Sequence, residues 1–229
     1  MSIFGNHQQA VMRRALLGAV AAATPAFGQR GRRGTSAEAE NEALSAPKDD
    51  AERRILGVIE EMASGGGTYL SVPISDGKML RILTESCMAK RVVEVGTSTG
   101  YSGLFFALAL SRTGGRLTTH ELNEGRAATA RANFAKAGVS QLVTLVQGDA
   151  HETTKNVKGP VDVIFLDADK EGYVHYLKTL LPALRPGGLL LAHNTGMVPD
   201  YLSAVRADPA LDTVIYSGGG GLSVTLKKL

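Results

Sequence analysis

The chain has 229 residues, 44% hydrophobic and 21% charged, the balance of a globular protein and not of a disordered or membrane-embedded one. Arg13 and Arg14 account for two units of its +3 net charge, and no basic stripe interleaved with aromatics follows, so nucleic acid is excluded as an expected partner. The single cysteine, Cys87, excludes an intramolecular disulfide and says nothing more about compartment.

Residues 13–29 read RRALLGAVAAATPAFGQ. Paired arginines precede an apolar run from Ala15 to Ala23, and Ala26-Phe27-Gly28 offers a small-x-small site. That layout predicts a signal peptide over 1–28, resembling the twin-arginine type, and an exported or periplasmic protein. A disordered extension or an amphipathic helix without a targeting role is the competing reading, and it leaves the protein cytoplasmic. The run is too short to span a bilayer. Residues 29–47 are Gly, Ser, Ala and charge, with too little apolar surface to fold, and read as a linker. The folded domain is expected over 48–229.

Within it, Ile55, Leu56, Ile59 and Met62 recur at helical spacing from Asp49 to Met62, and Gly65-Gly66-Gly67 ends that helix. Ser75 is expected to N-cap a second helix carrying Met79, Leu80, Ile82, Leu83 and Met88, with Cys87 as a packing residue. Strand and helix then alternate. Strands are expected at 91–95, 116–121, 142–147, 161–166 and 189–192, and helices at 101–110, 124–137, 171–184 and 201–206. Two last strands, 213–216 and 222–226, flank Gly218–Gly221 and must form a hairpin, so one edge strand is expected to run antiparallel. The pattern is an α/β fold, a doubly wound, mainly parallel seven-stranded sheet with an antiparallel C-terminal hairpin.

Ligands of such sheets bind at the carboxyl ends of the strands. The first strand runs into Glu94-Val-Gly96-Thr97-Ser-Thr-Gly100-Tyr-Ser102. This Gly-x-x-x-Gly spacing is not that of a dinucleotide loop and offers no phosphate cradle; a plain structural turn remains open on loop chemistry alone. The second strand ends in His120-Glu121, an acid placed to accept from two ribose hydroxyls. The third ends in Gly148-Asp149-Ala150, where an adenine edge could meet backbone.

These segments carry a resemblance. VVEVGTSTGYSGL, LTTHELNEGRAATARANF, the QGDA turn and VDVIFLDADKEGY are similar to the catechol and caffeoyl-CoA type of metal-dependent O-methyltransferases, which use S-adenosylmethionine (SAM). TYLSVPISDGKML resembles the segment that closes over SAM there. The likeness covers roughly residues 50–229. It implies the SAM methyltransferase fold and a small hydroxylated aromatic acceptor, and it suggests a dimer. It places Val72 at the methionine part of SAM, Glu94, Gly96, Thr97 and Ser102 at the amino acid end, Glu121 at the ribose, Ala150 at the adenine and Asp169 at the amino group. Valine at 72 departs from the hydroxyl common in the family and can only pack.

Asp167-Ala-Asp169-Lys170 ends the fourth strand. Two carboxylates at the mouth of a parallel sheet are costly without a cation, which favours a metal over a structural ion cluster. Asp167, His193 and Asn194 make a three-ligand set from adjacent strand ends. The family usually carries Asp at the position of His193, an oxygen set suited to magnesium. Imidazole favours manganese, iron, cobalt or zinc instead. A packing role for His193, with the metal lost, is the alternative. The resemblance makes Lys170 the catalytic base, with Asp167 beside it; a surface salt bridge to Asp169 or Glu171 competes with that role. His7, His120, His151 and His175 show no partners. Against the methyltransferase reading stand a nicotinamide-dependent oxidoreductase, disfavoured by the glycine spacing, and an exported SAM- or metal-binding protein without turnover.

Overall fold

The computed structural model describes residues 42–65 and 71–229; the predicted signal peptide, most of the predicted linker, Gly66, Gly67 and His7 lie outside them. Helices α1 (Asp50–Ser64) and α2 (Ile74–Ser86) precede the sheet. Then come β1 (Arg91–Val95), α3 (Tyr101–Thr113), β2 (Arg116–Glu121), α4 (Glu124–Lys136), β3 (Val143–Gln147), the short α5 (Ala150–Thr153), β4 (Val161–Leu166), α6 (Tyr173–Leu180), β5 (Leu184–His193), α7 (Pro199–Ala207), β6 (Leu211–Tyr216) and β7 (Leu222–Lys227).

The sheet has seven strands in the order β3-β2-β1-β4-β5-β7-β6, parallel from β3 through β5. The order reverses between β1 and β4, and the crevice over their carboxyl ends is where a doubly wound sheet takes its ligand. The C-terminal hairpin is present, but its antiparallel strand is not at the edge. β7 pairs antiparallel with β5 on one side and β6 on the other, so β6 forms the edge. The chain crosses to the edge through α7 and turns back into the slot beside β5.

Local chemistry accounts for most element ends. Asp49 caps α1 by accepting from the Glu52 amide at 2.9 Å, and Asn123 caps α4 by accepting from Arg126 N–H at 2.9 Å. The expected Ser75 cap is not formed. α2 begins two residues earlier, at Ile74 after Pro73, and the Glu42 carboxylate accepts from the amides of Ile74 (3.1 Å) and Ser75 (3.3 Å). The helix expected over 171–184 is shorter, because Lys170–Gly172 form a 3-10 turn before α6. Arg185-Pro-Gly-Gly188 does not separate helix from strand; it lies within β5, where the register to β4 shifts.

The core lies on both faces of the sheet. On one, α1, α2 and α3 pack Ile59, Leu80 and Phe105 against Val92 and Phe165. On the other, Tyr173, Tyr176 and Tyr201 pack against Val93, Ile164 and Leu190. A buried Phe or Leu of this kind contributes roughly 1.5–3 kcal/mol, which is what holds the strand ends in one plane above the crevice.

Candidate functional site

The carboxyl ends of the strands are knitted together. The amides of Gly96 and Thr97 both donate to the His120 carbonyl at 3.0 Å, the Asp167 amide donates to the Val95 carbonyl at 2.9 Å, and the Gly148 amide to the Glu121 carbonyl at 2.9 Å. Above them opens a cavity of about 590 Å³. Of the predicted site residues, Val72, Gly96, Thr97, Ser102, Glu121, Ala150, Asp167, Asp169, Lys170, His193 and Asn194 all line it.

Glu94 does not. It is fully buried behind the wall, where Ser102 Oγ donates to Oε1 at 2.5 Å and Thr119 Oγ1 to Oε2 at 2.6 Å. Burial pushes its carboxyl up to about 7 against the pull of those two hydroxyls, with Asp167 and Glu121 adding to the rise. Glu94 thus holds Ser102 and Thr119 in place from below.

Gly96 has φ +101°, and a Cβ there would come within 2.2 Å of the Asp167 carbonyl oxygen. Its missing side chain lets the β1 loop lie against the end of β4. Ser98, at φ 49°, is held by its amide donating to Glu121 Oε2 at 2.8 Å, while Glu121 Oε1 accepts from the Asn123 amide at 2.9 Å. Glu121 lines the cavity, and each of its oxygens, accepting one amide, keeps acceptor capacity for a ligand hydroxyl.

At the other end of the cavity, Lys170 Nζ donates to Asp167 Oδ1 at 2.8 Å and to the Tyr173 hydroxyl at 2.9 Å. The ammonium therefore faces into the site, and not out toward Asp169 or Glu171. The Tyr173 hydroxyl lies 3.0 Å from the Leu166 carbonyl and 3.1 Å from the His193 carbonyl, tying the ends of β4 and β5 to Lys170. Asp169 is engaged separately: it accepts from the Tyr176 hydroxyl at 2.6 Å and lies 3.1 Å from His151 Nε2.

His193 is buried between two carboxylates. Its Nε2 lies 2.9 Å from Asp76 Oδ2, and its Nδ1 lies 3.4 Å from Asp167 Oδ2. Burial alone would lower the imidazole, but Asp167 and Asp76 outweigh it and lift the pKa to about 9. Asp167 is likewise disfavoured by burial, yet His193 and Lys170 hold it below the usual carboxylate range. The Nδ1 atom has no hydrogen-bond partner. Asn194 adopts the left-handed conformation, φ 56° and ψ 46°, which its short amide tolerates better than most side chains.

Asp167, His193 and Asn194 fit a divalent ion. An orphaned buried nitrogen faces a carboxylate oxygen at 3.4 Å, and two ligand atoms each roughly 2.0–2.2 Å from a metal stand about that far apart. Among the described residues no three His, Cys, Asp or Glu side chains converge as a ready cage, so the set depends on the Asn194 amide.

Sequence reasoning missed Asp76, Tyr173 and the partners of His120, His151 and His175. His120 lies buried against the cavity with Nδ1 2.9 Å from Thr153 Oγ1, and burial lowers it to about 4. The His151 ring packs at a tilt against His175 and Tyr176, with centroids 4.8 Å from each, and His175 Nε2 lies 3.4 Å from Thr179 Oγ1. A tyrosine three residues after Lys170 was a visible signal at helical spacing. Asp76, 117 residues from His193, carried none.

Residues 50–207 match the model of a family described as O-methyltransferase. A catechol O-methyltransferase of Niastella koreensis is 35% identical over 168 residues, 72% of this chain and 74% of that protein. One from Mycobacterium tuberculosis is 35% identical over 126 residues, with 55% of this chain and 57% of that protein covered. An O-methyltransferase from Bacillus cereus, solved in complex with SAH, superposes with a TM-score of 0.72 at 25% identity, over 85% of this chain and 98% of that one.

Proposed function

Because the chain belongs to the O-methyltransferase family, we propose that its cavity joins two half-sites, one for SAM along β1 to β4 and one for a divalent metal at Asp167, His193 and Asn194 that takes a catechol-like acceptor. The protein is a SAM-dependent O-methyltransferase; the metal and the acceptor are the finer parts of this reading. The observation that carries them is the approach of Lys170 Nζ and His193 Nδ1 to the two oxygens of one carboxylate, Asp167, at 2.8 and 3.4 Å.

Methyl transfer from a sulfonium is an in-line displacement, and SAM supplies a leaving group that needs no acid. The enzyme's task is to aim a hydroxyl oxygen and remove its proton. Asp167, His193 and Asn194 would hold a divalent ion, and when bound that ion would supply the Lewis acidity that lowers the pKa of the attacked hydroxyl. Lys170 Nζ, fixed by Asp167 and the Tyr173 hydroxyl, would receive the proton as its neutral amine, having first given up the proton of the resting ammonium to solvent. Glu121 accepts from the ribose hydroxyls. Ser102 and Thr97, braced by Glu94 and Thr119, hold the amino acid end, and Ala150 meets the adenine. Asp169 receives the amino group with the oxygen capacity left by Tyr176 and His151. Val72, buried at the cavity wall, packs against the methionine chain.

Met197, three residues after Asn194, is an exposed large side chain lining the same cavity and offers an apolar rim to an aromatic acceptor. We further propose that residues 1–28 are an export signal, 29–47 a linker and 48–229 the catalytic domain. Among the described residues no helix is long and apolar enough to cross a membrane. Incubation with SAM and matched catechols and monophenols, read by mass spectrometry, tests the acceptor. Methylated catechols with unmodified monophenols support chelation; equal methylation of both contradicts it.

A further inference from the structure

We propose that Asp76 is a positioning residue for His193, turning the imidazole so that Nδ1, and not Nε2, is the nitrogen offered to the metal; this rests on the metal reading above. Asp76 lies in the first turn of α2 and is fully buried. A helix N-terminus favours negative charge at that place. Its Oδ2 sits 2.9 Å from His193 Nε2 and accepts the Gly220 amide at 2.9 Å. A carboxylate can only accept, so the proton of that contact belongs to Nε2. Once a metal has displaced the other ring proton, the lone pair is on Nδ1, the atom that faces Asp167 Oδ2 at 3.4 Å. A ligating histidine whose far nitrogen donates to a carboxylate is a recurrent metal-site arrangement, in which the outer acid sets tautomer and ring angle.

The loop between β6 and β7 completes the clamp. A Cβ on Gly219 would lie 2.2 Å from Asp76 Oδ1, and one on Gly220 would lie 2.4 Å from His193 Nε2. Only residues without side chains let this loop close over the pair. It joins the end of α2, the end of β5 and the C-terminal hairpin around one imidazole. The arrangement also explains why an acid is buried here at all: it faces an N–H of His193 and an N–H of the loop, and a carboxylate at position 193 would turn the first of these contacts into a repulsion.

The test uses the full chain, freed of metal by chelation and titrated with Co(II) followed by its visible absorption. Asp76→Ala should weaken Co(II) about 10–100-fold, the usual loss when an outer carboxylate is removed. Asp76→Asn, which keeps an acceptor oxygen beside the Gly220 amide, should recover most of that loss, and SAM affinity by calorimetry should stay at the wild-type value in both. Long-range proton–nitrogen spectra of the Zn(II)-loaded wild type should show the His193 proton on Nε2 and the metal on Nδ1, a readout that holds even if Asp76→Ala fails to fold. Metal on Nε2, or wild-type Co(II) affinity in Asp76→Ala, overturns this inference alone. A wild type that takes up neither Co(II) nor Zn(II) overturns the metal reading and this inference with it.

Discussion

Gly96 and Asp167 are in backbone contact: a Cβ on the glycine would stand 2.2 Å from the Asp167 carbonyl oxygen, so the loops that follow β1 and β4 lie against one another. Gly96→Ala must push β1 and β4 apart at their ends and also place an L side chain at φ +101°. A loss of about 1–3 kcal/mol from the backbone strain is expected, together with weaker SAM binding. Thermal unfolding and calorimetry on the same variant check both; a variant with wild-type stability and SAM affinity would contradict the contact.

Lys170 is held by Asp167 and Tyr173 with its ammonium toward the cavity. Lys170→Met should lower the rate of methyl transfer by roughly 10²–10⁴-fold, the contribution of a positioned base. SAM affinity should be retained. Single-turnover kinetics separates the two, and wild-type turnover would return Lys170 to a structural salt bridge.

Glu94 gives a pH signature. Its folded pKa, about 7, lies above its ordinary value of 4.5, chiefly through burial. The folded state therefore favours the protonated acid. Stability from this group is full below about 4.5 and is lost as pH rises through 7. Glu94→Gln should remove that loss, so its stability relative to wild type should grow between pH 4.5 and 7 by on the order of 3 kcal/mol. Denaturant unfolding at both ends of that window reads it; a gap that stays constant with pH contradicts a raised Glu94.

Export is tested at the paired arginines. Arg13→Lys with Arg14→Lys should leave the precursor in the cytoplasm, while the unaltered protein is found outside it with the leader removed. Cell fractionation and N-terminal sequencing check this. An unaltered protein that stays in the cytoplasm with residues 1–28 attached contradicts the signal reading.

Much of the site was legible because parallel strands end on one side of a sheet. Glu121, Ala150, Asp167 and His193 each lie at or just past the end of a predicted strand, so their common location follows from the topology. Glu94 shows the limit of that argument. It sits in the same strand as the loop it precedes, but the pleat turns it away from the cavity, and sequence proximity hid this. Asp76 was not legible, since its bond to His193 spans 117 residues and forms only once α2 and the glycine loop are docked. The hairpin was visible from its glycines, whereas the insertion of β7 between β5 and β6 depends on which edge the chain reaches through α7, and local pattern does not encode that.

The role of Asp167, His193 and Asn194 as metal ligands is decided by the metal dependence of turnover. The chelated protein should lose methyl transfer to a catechol and regain it with manganese, iron, cobalt or zinc better than with magnesium, since imidazole nitrogen favours transition ions over a hard, strongly hydrated one. His193→Ala should weaken every metal. His193→Asp should gain magnesium-supported activity when paired with Asp76→Asn, which removes the carboxylate 2.9 Å from the imidazole it replaces. Activity that survives chelation unchanged would mean that the His193 imidazolium between Asp76 and Asp167 supplies the positive charge itself, and a wild type that works best with magnesium would contradict His193 as a ligand.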